Sequence, residues 1–452
     1  MKLYPPESKI NLYEEGFGAA DLLNRKPTGK ALSDLVERIE DPLVVVLDGP
    51  WGSGKSYFLR RWVGAHRIEN GGDATTVYFD AFANDFLDDP LTGLAGAISK
   101  QLPADTDARA RRIFKGAVAK LAKPAVKAGF RAVTAGLSDL TGPAVDALIS
   151  AGGDELDKAV EDFWKREDGK RAAMKEVEAS LITITAGPNG GDPRKLVIVV
   201  DELDRCRPDY ALAVLEVIKH FFAVPHVHFV LGVNLVALQH SVCARYGDRI
   251  DAEGYLRRFI SVTMTFPKAA RKERGSSDMQ RYWLHHGKEM GVSRNLLDHV
   301  DRHLALGGSP SRATIRDMNR LLSLTALMAE AEDFDNWYGG FQILLASLLV
   351  MKALNPALYD RARYKAVAIS EIREFYDISD AQIDDKNQNN GKYNHAAYLL
   401  VSVWEFLLSD DNTEFHPTIS RAFNGFTSRP SEVDVDRFAK GHFDTFSLAP
   451  RE

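Results

Sequence analysis

Gly49-Pro50-Trp51-Gly52-Ser53-Gly54-Lys55-Ser56 is the segment that most narrows what this chain can fold into. It satisfies the pattern G-x-x-x-x-G-K-[ST], which works only between a strand and a helix. The glycines let consecutive backbone N–H groups converge on phosphate oxygens, and the following helix adds its positive N-terminal end. The flanks fit: Val44–Leu47 is an apolar run, and the residues from Tyr57 onward have a helical pattern. In such a loop Lys55 reaches the β- and γ-phosphates, and the Ser56 hydroxyl ligates magnesium. Gly49, Pro50, Trp51, Gly52, Ser53, Gly54, Lys55, Ser56 and the following Tyr57 are therefore the candidate nucleotide-binding residues, with ATP and Mg2+ as cofactors.

A second segment supplies the acids such a loop needs. In Leu196-Val-Ile-Val-Val-Asp201-Glu202-Leu203-Asp204-Arg205 an apolar strand delivers Asp201 at its C-terminal end. Asp201 is the candidate magnesium residue, and Glu202 beside it can act as general base on the attacking water. Asp204 can orient that water, pair with Arg205, or cap the next helix.

The rest of the chain reads as an α/β protein with a parallel sheet, helices on both faces and helical additions. Leu43–Leu47, Thr76–Asp80, Leu196–Asp201, Val227–Val233 and Ile260–Phe266 are the expected strands. Three of them are near-continuous apolar runs, the mark of strands covered on both faces. Helical patterns separate them, Tyr57–Ile68 and Tyr210–Phe222 among them. In the latter, Glu216, Lys219 and His220 share one face, while Leu212, Leu215, Ile218 and Phe222 favour the other. The stretch 90–189 is far longer than one crossover needs and reads as an inserted helical subdomain. The core thus divides into 1–89 and 190–267, followed by a helical lid, 268–332, and a C-terminal helical domain, 333–452. There Ser277–Met290, Ser311–Glu332, Phe341–Leu354, Tyr364–Asp377 and Ala396–Leu408 read as helices, and Asp384–Asn394 as a loop.

A net charge of −6 argues against a global positive field for nucleic acid, so any basic surface is local. The two cysteines, Cys206 and Cys243, have no metal-ligand spacing and suit a reducing compartment. No signal-peptide-like start and no apolar run of spanning length occur, so the expected location is the cytoplasm, with peripheral contact to the inner membrane left open.

Several ordered blocks resemble the KAP family of P-loop NTPases, within the broader class of additional-strand ATPases. They are Asp21-Leu22-Leu23-x-Arg25, the phosphate loop with Asp48 before it, and Tyr78-Phe79-Asp80-Ala81-Phe82. Then come Asp201-Glu202-Leu203-Asp204-Arg205-Cys206, Phe229-Val-Leu-Gly-Val-Asn234, Tyr255-Leu256-Arg257-Arg258-Phe259 and Ile315-Arg316-Asp317-Met318-Asn319-Arg320. The chain departs from the family at Asp80 and Phe82, where Asn and Trp are usual, and at Glu202 and Asn234, where Asp is common. The resemblance implies strand order 5-1-4-3-2, with Asn234 between the phosphate loop and the strand-end acids. Asn234 then resembles a sensor of the γ-phosphate or water; by itself an Asn at a strand end is more often a turn residue. Arg257 and Arg258 resemble a phosphate sensor or an intersubunit finger, Arg258 the favoured one, against a solvated helix face. Arg316 resembles a second sensor on the lid, or else forms a surface salt bridge. Leu22 and Leu23 are implied to pack near the adenine.

The expected function is a Mg-dependent ATPase acting as a conformational or assembly switch, in bacterial anti-phage defence by resemblance. It would work as a homo-oligomer, with an effector protein as partner or with the assembly itself as the effector. The alternatives are a membrane-associated scaffold and a nucleic-acid motor or clamp. Lys120, Lys123, Lys127 and Arg131 recur at helical spacing and would suit an anionic membrane or nucleic acid, or simply a solvated face.

Overall fold

The computed structural model describes residues 2–6, 9–18, 21–86, 90–102, 111–117, 172, 174–186, 193–221, 224–266, 277–328, 331–384, 393–410, 422–423, 431 and 433–444. The expected basic helix around Lys120–Arg131 and most of the Asp384–Asn394 loop lie outside them, as does Phe222.

Five strands, β1 (Leu43–Asp48), β2 (Thr75–Asp80), β3 (Leu196–Asp201), β4 (Val227–Val233) and β5 (Val262–Thr265), form one parallel sheet. Their order is β2-β3-β4-β1-β5, the order the resemblance implied, read from the other edge. The central strands are buried on both faces because successive side chains point to opposite sides. Val44, Val46, Ile198, Val200, Phe229 and Leu231 serve one hydrophobic core, and Val45, Leu47, Val197, Val199 and Val230 the other. β5 sits at an edge, and three of its four residues are exposed. That explains its mixed sequence and its shortening from the expected Ile260–Phe266.

The described ends of the insertion are helical and pack on the sheet. Leu91, Leu94, Ala95 and Ile98 of the helix Pro90–Gln101 share a core with Phe114, Val177, Leu181 and the strands. In the helix Pro208–His220, Leu212, Leu215 and Ile218 are buried as the spacing predicts.

The helices from Asp278 to Ala439 build a third core around Trp283, Leu348, Tyr376 and Trp404. It runs without a break through residues on both sides of position 332. The lid helix is Ile315–Leu327, not the longer Ser311–Glu332. Thr314 sets its start: the Thr314 hydroxyl accepts from the Asp317 N–H at 3.2 Å, and Asp317 Oδ2 accepts from the Thr314 N–H at 2.8 Å. Similarly, the expected helix Tyr364–Asp377 begins only at Ile369, after Lys365 takes a left-handed turn with φ 57°. Among the described residues no helix is long and apolar enough to cross a membrane.

Candidate functional site

The C-terminal ends of β1, β3 and β4 open beside the lid helix into a cavity of about 720 Å³, within the ~300–1,000 Å³ usual for small-molecule sites. One wall is the phosphate loop, which delivers the chain from β1 into the helix Lys55–Ile68. Gly52 and Gly54 have φ of +80° and +92°, left-handed conformations that glycine adopts without strain. They also make room for the lid, because a Cβ on Gly52 would lie 2.6 Å from Arg316 Cβ and one on Gly54 2.6 Å from Ile315 Cδ1. The Ile315 N–H donates to the Gly52 carbonyl at 3.0 Å, tying lid to loop.

Inside the loop Lys55 is buried, and its Nζ donates to the carbonyls of Gly49 at 2.5 Å and Pro50 at 3.2 Å. Burial pulls its pKa down, while Asp204, Asp201 and Asp48 oppose that shift. The Ser53 hydroxyl is buried with no hydrogen-bond partner among the described residues, as a phosphate-facing donor would be. Ser56 Oγ donates to Glu202 Oε1 at 3.1 Å, so loop and strand-end acids meet directly.

Asp201 is 1% exposed. Its Oδ1 accepts the Glu202 N–H at 2.9 Å and its Oδ2 accepts the Tyr78 hydroxyl at 2.7 Å. Burial raises its pKa to about 6, against the lowering effect of the Tyr78 hydrogen bond. Glu202 stands in a left-handed conformation, φ 59°, and pairs with Arg205 at 3.1 Å. Asp204 does not cap the helix that starts at Pro208, whose first turn has no side-chain cap. Instead its Oδ2 accepts from Trp51 Nε1 at 2.6 Å, a second bond between the loop and the acid segment.

Among the other sequence-derived candidates, Arg316 lines the cavity from the lid. Asn234 does not: its Oδ1 accepts from the N–H groups of Val236 and Ala237 and caps the helix Leu235–Tyr246. Arg257 pairs with Glu253, and Arg258 is exposed; neither lines the cavity. Leu22 and Leu23 stand outside it as well. The Leu22 carbonyl accepts from Arg281, and Leu23 is buried in the C-terminal helical core. Sequence reasoning missed Arg320 and Asn319 as lining residues, and Tyr78 as the partner of Asp201. Arg320 was findable, because it lies one helical turn after Arg316 on the same face.

A strand-flanked phosphate loop facing two strand-end acids in one cavity defines a P-loop NTPase. Within that class, a model of the KAP family P-loop domain matches residues 25–329, and the chain belongs to the KAP family. No curated protein matches it. Among solved structures, the ORC2 protein of Aeropyrum pernix in its ADPNP-ADP complexes is similar with a TM-score of 0.32 and 13% identity, over 92% of each chain. Its ADP form is similar with a TM-score of 0.32 and 12% identity, over 81% of this chain and 73% of that one.

Proposed function

We propose that this chain binds ATP with Mg2+ at the cavity, hydrolyses it, and uses the nucleotide to switch the position of its lid. The observation that carries this reading is the direct Ser56–Glu202 contact, which brings phosphate loop and strand-end acids into one site. Lys55, now bonded to loop carbonyls, exchanges them for β- and γ-phosphate oxygens. Ser56 and Asp201 form an all-oxygen donor set suited to a hard divalent cation. Magnesium, when bound there, neutralises charge on the β- and γ-phosphates. Glu202 takes a proton from the water whose oxygen attacks the γ-phosphorus, and ADP leaves as the γ–β bridge breaks. Arg316 and Arg320, one turn apart on the lid, place positive charge against the phosphoryl group. The Ile315–Gly52 hydrogen bond supports the switch, because any shift of the loop around phosphate is felt by the lid helix.

Self-association belongs to the same reading. Arg258 is exposed and away from the cavity, so as a finger it would serve the nucleotide of a neighbouring subunit. A phage-defence setting with an effector partner rests on family resemblance alone. Calorimetric titration of ATP and Mg2+, together with phosphate release, tests the core of the proposal. Micromolar binding and slow turnover are expected of the wild type, and no heat and no phosphate would refute it.

A further inference from the structure

We infer that Tyr78 is a positioning residue for the metal: it holds the Asp201 carboxylate in the orientation that meets the cation, and Arg60 holds Tyr78. This deepens the ATPase reading and rests on it. A phenol has one proton to give. Arg60 Nε donates to the Tyr78 hydroxyl oxygen at 3.0 Å, and an arginine cannot accept. The Tyr78 proton is therefore directed to its other neighbour, Asp201 Oδ2, at 2.7 Å. Arg60 is in turn steadied by Asp80 at 3.5 Å.

The backbone of Tyr78 is pinned as well. It lies on β2, an edge strand of the sheet, and its N–H donates to the Tyr13 hydroxyl at 2.9 Å. Asp201 thus has one oxygen fixed by the Glu202 N–H and the other by Tyr78. A carboxylate buried this deeply has little water to orient it, so its rotamer depends on these two donors. Tyr78 does not line the cavity and acts only through Asp201.

The test uses the full chain and Mn2+ followed by electron paramagnetic resonance, with a non-hydrolysable ATP analogue present. Partners that orient metal ligands are typically worth ~10–100-fold in metal affinity, so Tyr78→Phe should weaken Mn2+ binding by about tenfold or more. Analogue binding without metal and the thermal midpoint should stay at wild-type values, which a merely structural loss would not leave untouched. In turnover, the Mg2+ concentration for half-maximal rate should rise by a similar factor while the rate at saturating Mg2+ changes far less. Arg60→Gln, which frees the phenol to rotate, should give a smaller shift in the same direction. Unchanged Mn2+ affinity in Tyr78→Phe overturns the proposal. Should that variant fail to fold, unchanged Mn2+ affinity in Arg60→Gln overturns it. A wild-type chain that binds no analogue would instead refute the nucleotide site itself, and the positioning role with it.

Discussion

Replacing Gly52 by alanine should loosen the lid without unfolding the protein. The new Cβ would stand 2.6 Å from Arg316 Cβ and 3.2 Å from Thr314 Oγ1, where carbon atoms normally approach to ~3.5–4.0 Å. Relief requires the lid helix to retreat by about 1 Å, which breaks the 3.0 Å Ile315–Gly52 hydrogen bond. A non-glycine residue at φ +80° adds about 1–2 kcal/mol, and the lost hydrogen bond about 0.5–1.5 kcal/mol. The docked arrangement should therefore lose about 1.5–3.5 kcal/mol, or roughly 10- to 400-fold in its equilibrium against the open lid. Hydrogen exchange at the Ile315 amide measures this, since that N–H is bonded across the junction to Gly52. Gly96→Ala is the control, because its Cβ would meet nothing within 4 Å. Exchange at Ile315 within about threefold of wild type, in folded Gly52→Ala protein, would show that the loop and lid are not mechanically joined as argued.

Lys55→Ala should abolish ATP binding by calorimetry while circular dichroism stays that of the wild type, because Lys55 is the cation inside the loop. Glu202→Gln should bind ATP normally but hydrolyse it about a hundred- to ten-thousand-fold more slowly; undiminished single-turnover hydrolysis would move the base elsewhere. Arg258→Ala mixed with Lys55→Ala should regain turnover if the arginine serves a neighbouring subunit, and flat specific activity on dilution would count against that. The raised pKa of Asp201, about 6 against 3.8, makes native protein hold a proton that unfolded chain has lost. Its contribution to stability should therefore fall as pH rises from about 4 to about 6, by up to ~3 kcal/mol. Chemical denaturation of metal-free Asp201→Asn beside wild type should show that slope reduced; an identical slope would rule out Asp201 as its source.

The parts of the fold legible in the sequence are those in which neighbouring residues state their own surroundings. β3 and β4 run as read, since uninterrupted apolar stretches must be covered on both faces. The phosphate loop is legible for the same local reason. Strand order came from resemblance, because no property of β1 dictates that β4 and β5 flank it. The helix Arg294–Leu304 was passed over although Leu296, Leu297, Val300 and Leu304 recur at helical spacing, and Pro356–Arg363 was missed too. Side-chain partnerships across distance were harder. Tyr78 reaches Asp201 over 123 positions, and Trp51 reaches Asp204 over 153. At Asn234 the local turn chemistry of an Asx residue describes what the side chain does, as the Val236 and Ala237 N–H groups show.

The unbroken core from Asp278 to Ala439 gives the lid helix the properties of a lever. Leu321, Leu322 and Leu324 of that helix belong to the same core as Leu348, Trp404 and Val435, so the helix cannot slide past its neighbours without opening closely packed carbon. Asp444 adds a clamp, accepting from the Tyr359 hydroxyl at 2.8 Å and Arg363 at 2.9 Å as well as pairing with Lys352. The fulcrum is the Gly52–Ile315 junction, where the short arm is a single hydrogen bond long. A helix of 13 residues is roughly 20 Å long, so a tilt of about 10° at the fulcrum sweeps its far end through about 3 Å. Sub-ångström shifts of the loop would thus reach the C-terminal helical core, in which the far end of this helix is buried, as displacements of ångström size.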